Sequence, residues 1–243
     1  MNRKQKIFLW INLFLVFLIC VGNYFYLSRG GMRLQAFCSG IFVLMGIINL
    51  VYAVNARDKN LKFNIMMAIG LVCAFLADMT MAADFIIGVI FFAVGHICYL
   101  FAYCVLEKLA RVDFGVSFVV VCIGGSLVIA SPFLEVPNEI MQWAGLIYAC
   151  IISVMTGKAI ANFVRIRNML TKIILIGSVL FFFSDIMLVF DWFLGMGSIM
   201  WIFCIGMYYP AQCLLALSSY LSVGCDAEKD ERYEKYAEYI DEV

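Results

Sequence analysis

The sequence predicts an all-α, polytopic membrane protein with eight transmembrane helices, arranged as two parallel four-helix repeats. Three observations predict it: the composition, the length of the apolar blocks, and an overlay of the chain on itself. Of 243 residues, 65% are hydrophobic and only 14% are charged, and the mean hydropathy is +0.99. A soluble domain is nearer half apolar and a quarter charged. The apolar residues come in blocks of about 20, enough to cross a hydrocarbon core roughly 30 Å thick. A β-barrel would need short alternating strands, which the pattern lacks. The net charge is zero and no basic run is present, so nucleic-acid binding is excluded.

The first span, 7–27, follows Arg3, Lys4 and Lys6. Its apolar stretch is too long for a signal peptide and no A-x-A-like site follows, so it reads as an uncleaved helix. Span 34–54 is reached through a turn carrying Arg29 and Arg33. Arg57, Lys59 and Lys62 precede span 63–81, and a short turn leads to span 85–106. Lys108 and Arg111 precede span 115–133, and span 140–158 follows. Lys158, Arg165, Arg167 and Lys172 lie before span 172–190. Span 199–221 ends the bundle, with Lys229, Arg232 and Lys235 beyond it. With eight spans, fifteen of the 17 basic residues fall on one side and two, Arg29 and Arg33, on the other. The positive-inside rule then places both termini in the cytoplasm of a multi-pass protein of the cell membrane. The tail, 224–243, is polar and acidic. It reads as a solvated cytoplasmic segment or as a short amphipathic helix through Tyr233, Tyr236, Ala237, Ile240 and Val243.

A shift of 107 brings Ile69-Gly70 onto Ile176-Gly177, Val72 onto Val179, Phe75 onto Phe182 and Asp78 onto Asp185. Asp84 meets Asp191, and Gly88 meets Gly195. The spans fall into register four apart, which divides the chain into repeats 1–113 and 114–223. Repeats four spans apart point the same way and imply a pseudo-two-fold axis along the membrane normal. Spans 3 and 7 are expected to face each other across it.

Asp78 and Asp185 lie well inside spans. Asp78 is 16 residues past Lys62 and Asp185 is 13 past Lys172, so about 24 Å and about 20 Å along their helices. Both belong to the outer part of the bilayer, below a mouth marked by Asp84 and Asp191. A carboxyl at such a depth costs at least about 2.5–3.5 kcal/mol. It reads as functional, or as a protonated interhelical hydrogen-bonding group. Small residues, Gly70, Ala74 and Ala77 on one span and Gly177, Ser178 and Ser184 on the other, permit close helix approach. His96, Tyr99 and Tyr103 form one stripe of span 4, and Tyr208, Tyr209 and Gln212 cluster on span 8. Singly these are ordinary buried polar residues; with the aspartates they outline a polar pocket in an apolar bundle.

Nine of the ten cysteines sit in apolar blocks, with Cys225 in the tail. No C-x-x-C occurs and His96 is the single histidine, so no metal site and no cofactor are expected. No G-x-S-x-G, H-E-x-x-H or phosphate loop is present. Two carboxyls leave acid–base chemistry or cation handling.

Three segments in register resemble the YhhN family of lysoplasmalogenase-like membrane proteins. The first is Ala77-Asp78 with Phe85, Gly88, Phe92, His96 and Tyr99. The second runs from Gly177 through Ser184-Asp185 to Leu188 and Asp191, and the third is Tyr208-Tyr209-Pro210-Ala211-Gln212. Tyr148 and Met155 are weaker matches. Ala77 stands where the family usually shows glycine, and Phe63 follows Lys62 where a proline is expected nearby. The resemblance implies a hydrolase that cleaves the vinyl ether bond of lysoplasmalogens to a fatty aldehyde and a glycerophospho-base. It marks Asp78 and Asp185 as catalytic. His96, Tyr99, Tyr209 and Gln212 are then the substrate-binding residues, and the partner is a lysophospholipid-like substrate drawn from the bilayer. The alternative is a proton-coupled transporter or carrier, a class that also uses parallel repeats and intramembrane acids.

Overall fold

A computed structural model describes residues 3–129, 139–194 and 198–223. They form eight helices: α1 (Arg3–Arg29), α2 (Met32–Ala56), α3 (Leu61–Thr80), α4 (Phe85–Leu106), α5 (Arg111–Ile129), α6 (Glu139–Arg165), α7 (Met169–Leu194) and α8 (Ser198–Ser222). Among the described residues, seven helices, α1 to α4 and α6 to α8, have the length and apolar character to cross a membrane. The end of the predicted fifth span, Gly195 and the acidic tail lie outside the described residues.

Apolar side chains cover the outside as well as the inside, as a bilayer solvent requires. Trp10, Phe14 and Phe17 of α1 and Phe114, Phe118 and Ile123 of α5 are exposed. Buried polar side chains within this apolar interior pair with one another. Asn12 and Asn49 exchange amide hydrogen bonds of 2.8 Å, and Asn49 Nδ2 also donates to the carbonyl of Ala216. Those bonds tie α1, α2 and α8 together.

The ends of the bundle follow from local chemistry. Gly30 and Gly31 turn α1 into α2 with φ of 65° and 101°, a region open to glycine at little cost. Asp84 caps α4, accepting from the backbone N–H of Ile86 and Ile87. At the opposite end, Tyr220 donates to the carbonyl of Gln5 at 3.0 Å. Ser222 and Asn64 meet Asp58 there as well. The start of α1, the α2–α3 turn and the end of α8 thus share one end, which is also rich in basic residues.

Helix α6 runs seven residues beyond the span predicted from hydropathy, and Lys158 is therefore not in a loop. It is buried within the helix, with Nζ 3.0 Å from Asp113 Oδ2. Arg165 of the same helix reaches Asp113, Glu107 and the carbonyl of Lys108. The pair holds the α4–α5 turn against α6. A charge ended the predicted span because hydropathy alone does not register a counter-ion forty-five positions away.

The packed pairs are α1 on α2, α2 on α3, α3 on α4, α5 on α6, α6 on α7 and α7 on α8. Four more close the bundle: α2 on α8, α4 on α6, α1 on α8 and α3 on α8. Advancing every number by four, cyclically, converts α1–α2 into α5–α6, α2–α3 into α6–α7, α3–α4 into α7–α8 and α2–α8 into α6–α4. Helices α3 and α7 are not among the packed pairs, contrary to the expectation that they face one another. Side chains of α4 and α8 stand between them. Glycine makes part of this possible: a Cβ on Gly70 would clash with the Tyr99 ring, so α4 approaches α3 through that position.

Candidate active site

Asp78 and Asp185 stand 17 and 16 residues past the first residues of α3 and α7, about 25 Å along each helix. Both are buried, each with 6% of its surface exposed. They occupy separate polar knots of related construction.

Asp78 Oδ2 accepts two hydrogen bonds. Ser39 Oγ of α2 donates at 2.5 Å and the Tyr208 hydroxyl of α8 at 2.9 Å. The Tyr209 hydroxyl lies 3.4 Å from Ser39 Oγ and 3.5 Å from the carbonyl of Gln35. Tyr209 therefore reaches Asp78 only through Ser39.

Asp185 Oδ2 accepts one short hydrogen bond, 2.5 Å from the Tyr148 hydroxyl of α6. His96 Nε2 of α4 is 2.9 Å from that hydroxyl and 3.5 Å from the carboxyl oxygen. With Tyr148 donating to Asp185, the network assigns the proton of His96 to Nε2. Nδ1 is then a lone-pair acceptor, buried and without a partner among the described residues.

In both knots Oδ2 receives the protein's hydrogen bonds, and no partner contacts Oδ1 among the described residues. A carboxyl anchored through one oxygen leaves the other for a substrate or a water. The helices that supply the anchors correspond too. Asp78 is held by the second helix of its own half and the fourth of the other. Asp185 stands in the same relation to α6 and α4.

Aromatic rings separate the knots. Phe181 packs edge-on against His96, with centroids 4.6 Å apart, and against Tyr208 at 5.4 Å. Phe92 lies beside the same two rings at 6.5 and 5.9 Å. On the far side of this wall Asp185 and Tyr148 border an open apolar pocket. Helices α4, α6 and α7 line it with Val89, Phe92, Ile152, Phe182 and Val189, among others. Asp78 is not part of that lining.

The remaining expected residues divide between structure and site. Tyr99 donates to Gln212 Oε1 at 3.1 Å and to neither carboxyl. Gln212 Nε2 is buried and without a partner among the described residues. Tyr103 pairs with Ser178 at 2.9 Å and ties α4 to α7. Ser39 was invisible beforehand, because a serine in an apolar helix carries no signal of its own. Tyr148 and Tyr208 were visible as polar residues on spans 6 and 8, but only packing assigns each to its aspartate.

The fold and these knots define a class: a multi-pass helical membrane protein with paired intramembrane carboxyls. The YhhN family matches residues 38–219, most of the chain, and the chain belongs to that family. No curated protein and no solved structure matches it.

Proposed function

We propose that this protein is a membrane-embedded hydrolase that cleaves the vinyl ether bond of lysoplasmalogen-type lipids. The observation that carries the reading is the carboxyl pair: two buried aspartates at matching positions along α3 and α7, each anchored through Oδ2 with no partner on Oδ1 among the described residues.

The chemistry needs little else. An acid protonates the carbon one bond away from the ether-bearing carbon, and an oxocarbenium ion forms. Water adds to that cation and loses a proton. The hemiacetal then collapses to a fatty aldehyde and an alcohol, the glycerophospho-base. Overall one water is consumed and one C–O bond breaks. Two carboxyls divide such work in glycosidases, which pass through a similar cation. In this reading Asp185, on the wall of the pocket, delivers and recovers the proton. Asp78, solvated by two hydroxyl donors, supplies negative charge behind the aromatic wall. Tyr148 and His96 position Asp185. Tyr209 and Gln212, with Tyr99, lie on the Asp78 side as candidates for head-group contact.

The chain overlay and the cyclic correspondence of packed pairs support two four-helix repeats, 1–113 and 114–223, built around a shared centre. The carrier alternative rests on the same symmetry. Carriers of that kind commonly interrupt helices at their binding site, whereas Asp78 and Asp185 each lie within one continuous helix; α8 holds Pro210 beside Tyr209 but also continues as one helix.

The test is aldehyde release from an alkenyl lysophospholipid by purified protein in detergent, compared with Asp78→Asn and Asp185→Asn. Each variant is expected to fold and to lose activity by at least a hundredfold. Full activity in either variant refutes the mechanism. Absent turnover, with proton or lipid flux in proteoliposomes, transfers the site to a carrier.

A further inference from the structure

We propose that the pocket between α4, α6 and α7 is the hydrocarbon-chain site. It holds one unbranched chain of a single-chain amphiphile, with the oxygen-bearing end of that chain against Asp185 and Tyr148. The identity of the bond placed there rests on the hydrolase reading; occupancy by a chain does not.

The pocket's chemistry selects this occupant. Its walls are aliphatic and aromatic, and its polar groups are one carboxyl and one phenol side by side. Ligand sites are commonly mostly apolar and carry a few convergent polar groups. The single carboxyl–phenol pair offers an anchor for the end of one chain. The side chains around it are lipid-facing: Ile87 and Ile90 on α4, Ile147 on α6 and Phe183 on α7 are exposed. In this proposal the chain enters from the bilayer, past that apolar surface.

That origin fixes what the pocket contributes. Lipid tails are as apolar as the pocket wall, so the transfer gains little free energy. The gain is positional: a confined chain holds its polar end beside the acid, where a reaction becomes effectively unimolecular. Selectivity then comes from fit.

Gly145 of α6 provides a clean handle. It borders the pocket, and a Cβ built there meets no atom within 4 Å. A larger side chain at 145 occupies the chain's space without displacing a helix. Gly124, by contrast, would press a Cβ to 2.7 Å from Ser153 Oγ.

The experiment uses a saturated alkyl-ether lysophospholipid with a photoreactive diazirine in mid-chain, on full-length protein in detergent and in lipid nanodiscs. This probe has no vinyl ether to cleave. Mass spectrometry is expected to find adducts on Ile152, Phe182 and Val189 well above those on outward-facing Ile147 and Ile90. Gly145→Leu is expected to reduce the pocket adducts at least tenfold while the outward ones persist. Val189→Phe, filling from α7, is expected to do the same. A two-chain diacyl probe is expected to leave the pocket unlabelled. Labelling spread evenly over outward faces, or pocket labelling indifferent to both variants, overturns the chain site. Equal pocket labelling by the diacyl probe overturns its restriction to one chain. Pocket adducts without aldehyde release from an alkenyl lipid keep the chain site and remove the hydrolase reading; release without pocket adducts does the reverse.

Discussion

Tyr148→Phe removes one hydroxyl and keeps the ring. That hydroxyl is the close donor to Asp185 Oδ2, at 2.5 Å. The other neighbour, His96 Nε2, stands at 3.5 Å, the outer limit for a hydrogen bond. A hydrogen bond to a charged group is worth about 1.5–3 kcal/mol. If Asp185 depends on it in the transition state, kcat falls by about 10- to 150-fold at about 1.4 kcal/mol per decade. KM changes little, because the lost hydroxyl is already donated to Asp185 while the ring that borders the pocket remains. Asp78 differs in having two donors on one oxygen, so Ser39→Ala or Tyr208→Phe leaves one in place. Each of those is expected to cost about tenfold or less in kcat, near the lower end of the same range. Tyr148→Phe also strips His96 of its hydrogen-bond partner in a fully buried site. A destabilisation of about 1–3 kcal/mol accompanies that loss. The assay is aldehyde release with kcat and KM separated, beside thermal unfolding in detergent. Tyr148→Phe within twofold of the parent kcat, while Asp185→Asn is inactive, refutes the argument. So does a Tyr208→Phe variant that loses more kcat than Tyr148→Phe.

Two further outcomes concern the fold. Lys158→Met leaves Asp113 buried with the weaker Arg165 contact at 3.5 Å. Breaking a buried pair by removing one member costs about 3–5 kcal/mol. The double variant Lys158→Met/Asp113→Asn is expected to recover most of that in detergent melting curves, and a double variant no more stable than the single one contradicts the pairing. For orientation, we infer that both termini face the cytoplasm. Reporters fused at either end of the chain are then active only as cytoplasmic fusions, and an active periplasmic or extracellular reporter at either terminus reverses the topology.

Much of this molecule is legible in its sequence. Long apolar blocks have one solution in a bilayer, the helix, because every backbone group must find its partner within the segment. That is why the order of all eight elements, and α4 to the residue, follows from hydropathy. Asp78, Asp185 and His96 stood out because charge and imidazole are costly at that depth and so are rarely idle. The rest depended on which faces meet. Sequence periodicity places Tyr99 and His96 on one stripe of α4. It does not say that Tyr99 turns to Gln212 while His96 turns to Tyr148 and Asp185. Nor does it say that α3 and α7, matched in sequence, are kept from packing together by side chains of α4 and α8. Lys158 shows the same limit from the other side: a lysine ends a span unless a partner such as Asp113 neutralises it, and that partner is found only by folding. The sequence by itself determined the membrane, the helices and the presence of two carboxyls, because these depend on the solvent and on local chemistry. Tertiary structure alone decided that Ser39 and Tyr208 hold one carboxyl, that Tyr148 holds the other, and that only Asp185 borders the pocket. Each of those is a contact between helices distant in the chain, set by side-chain shape at the packed faces.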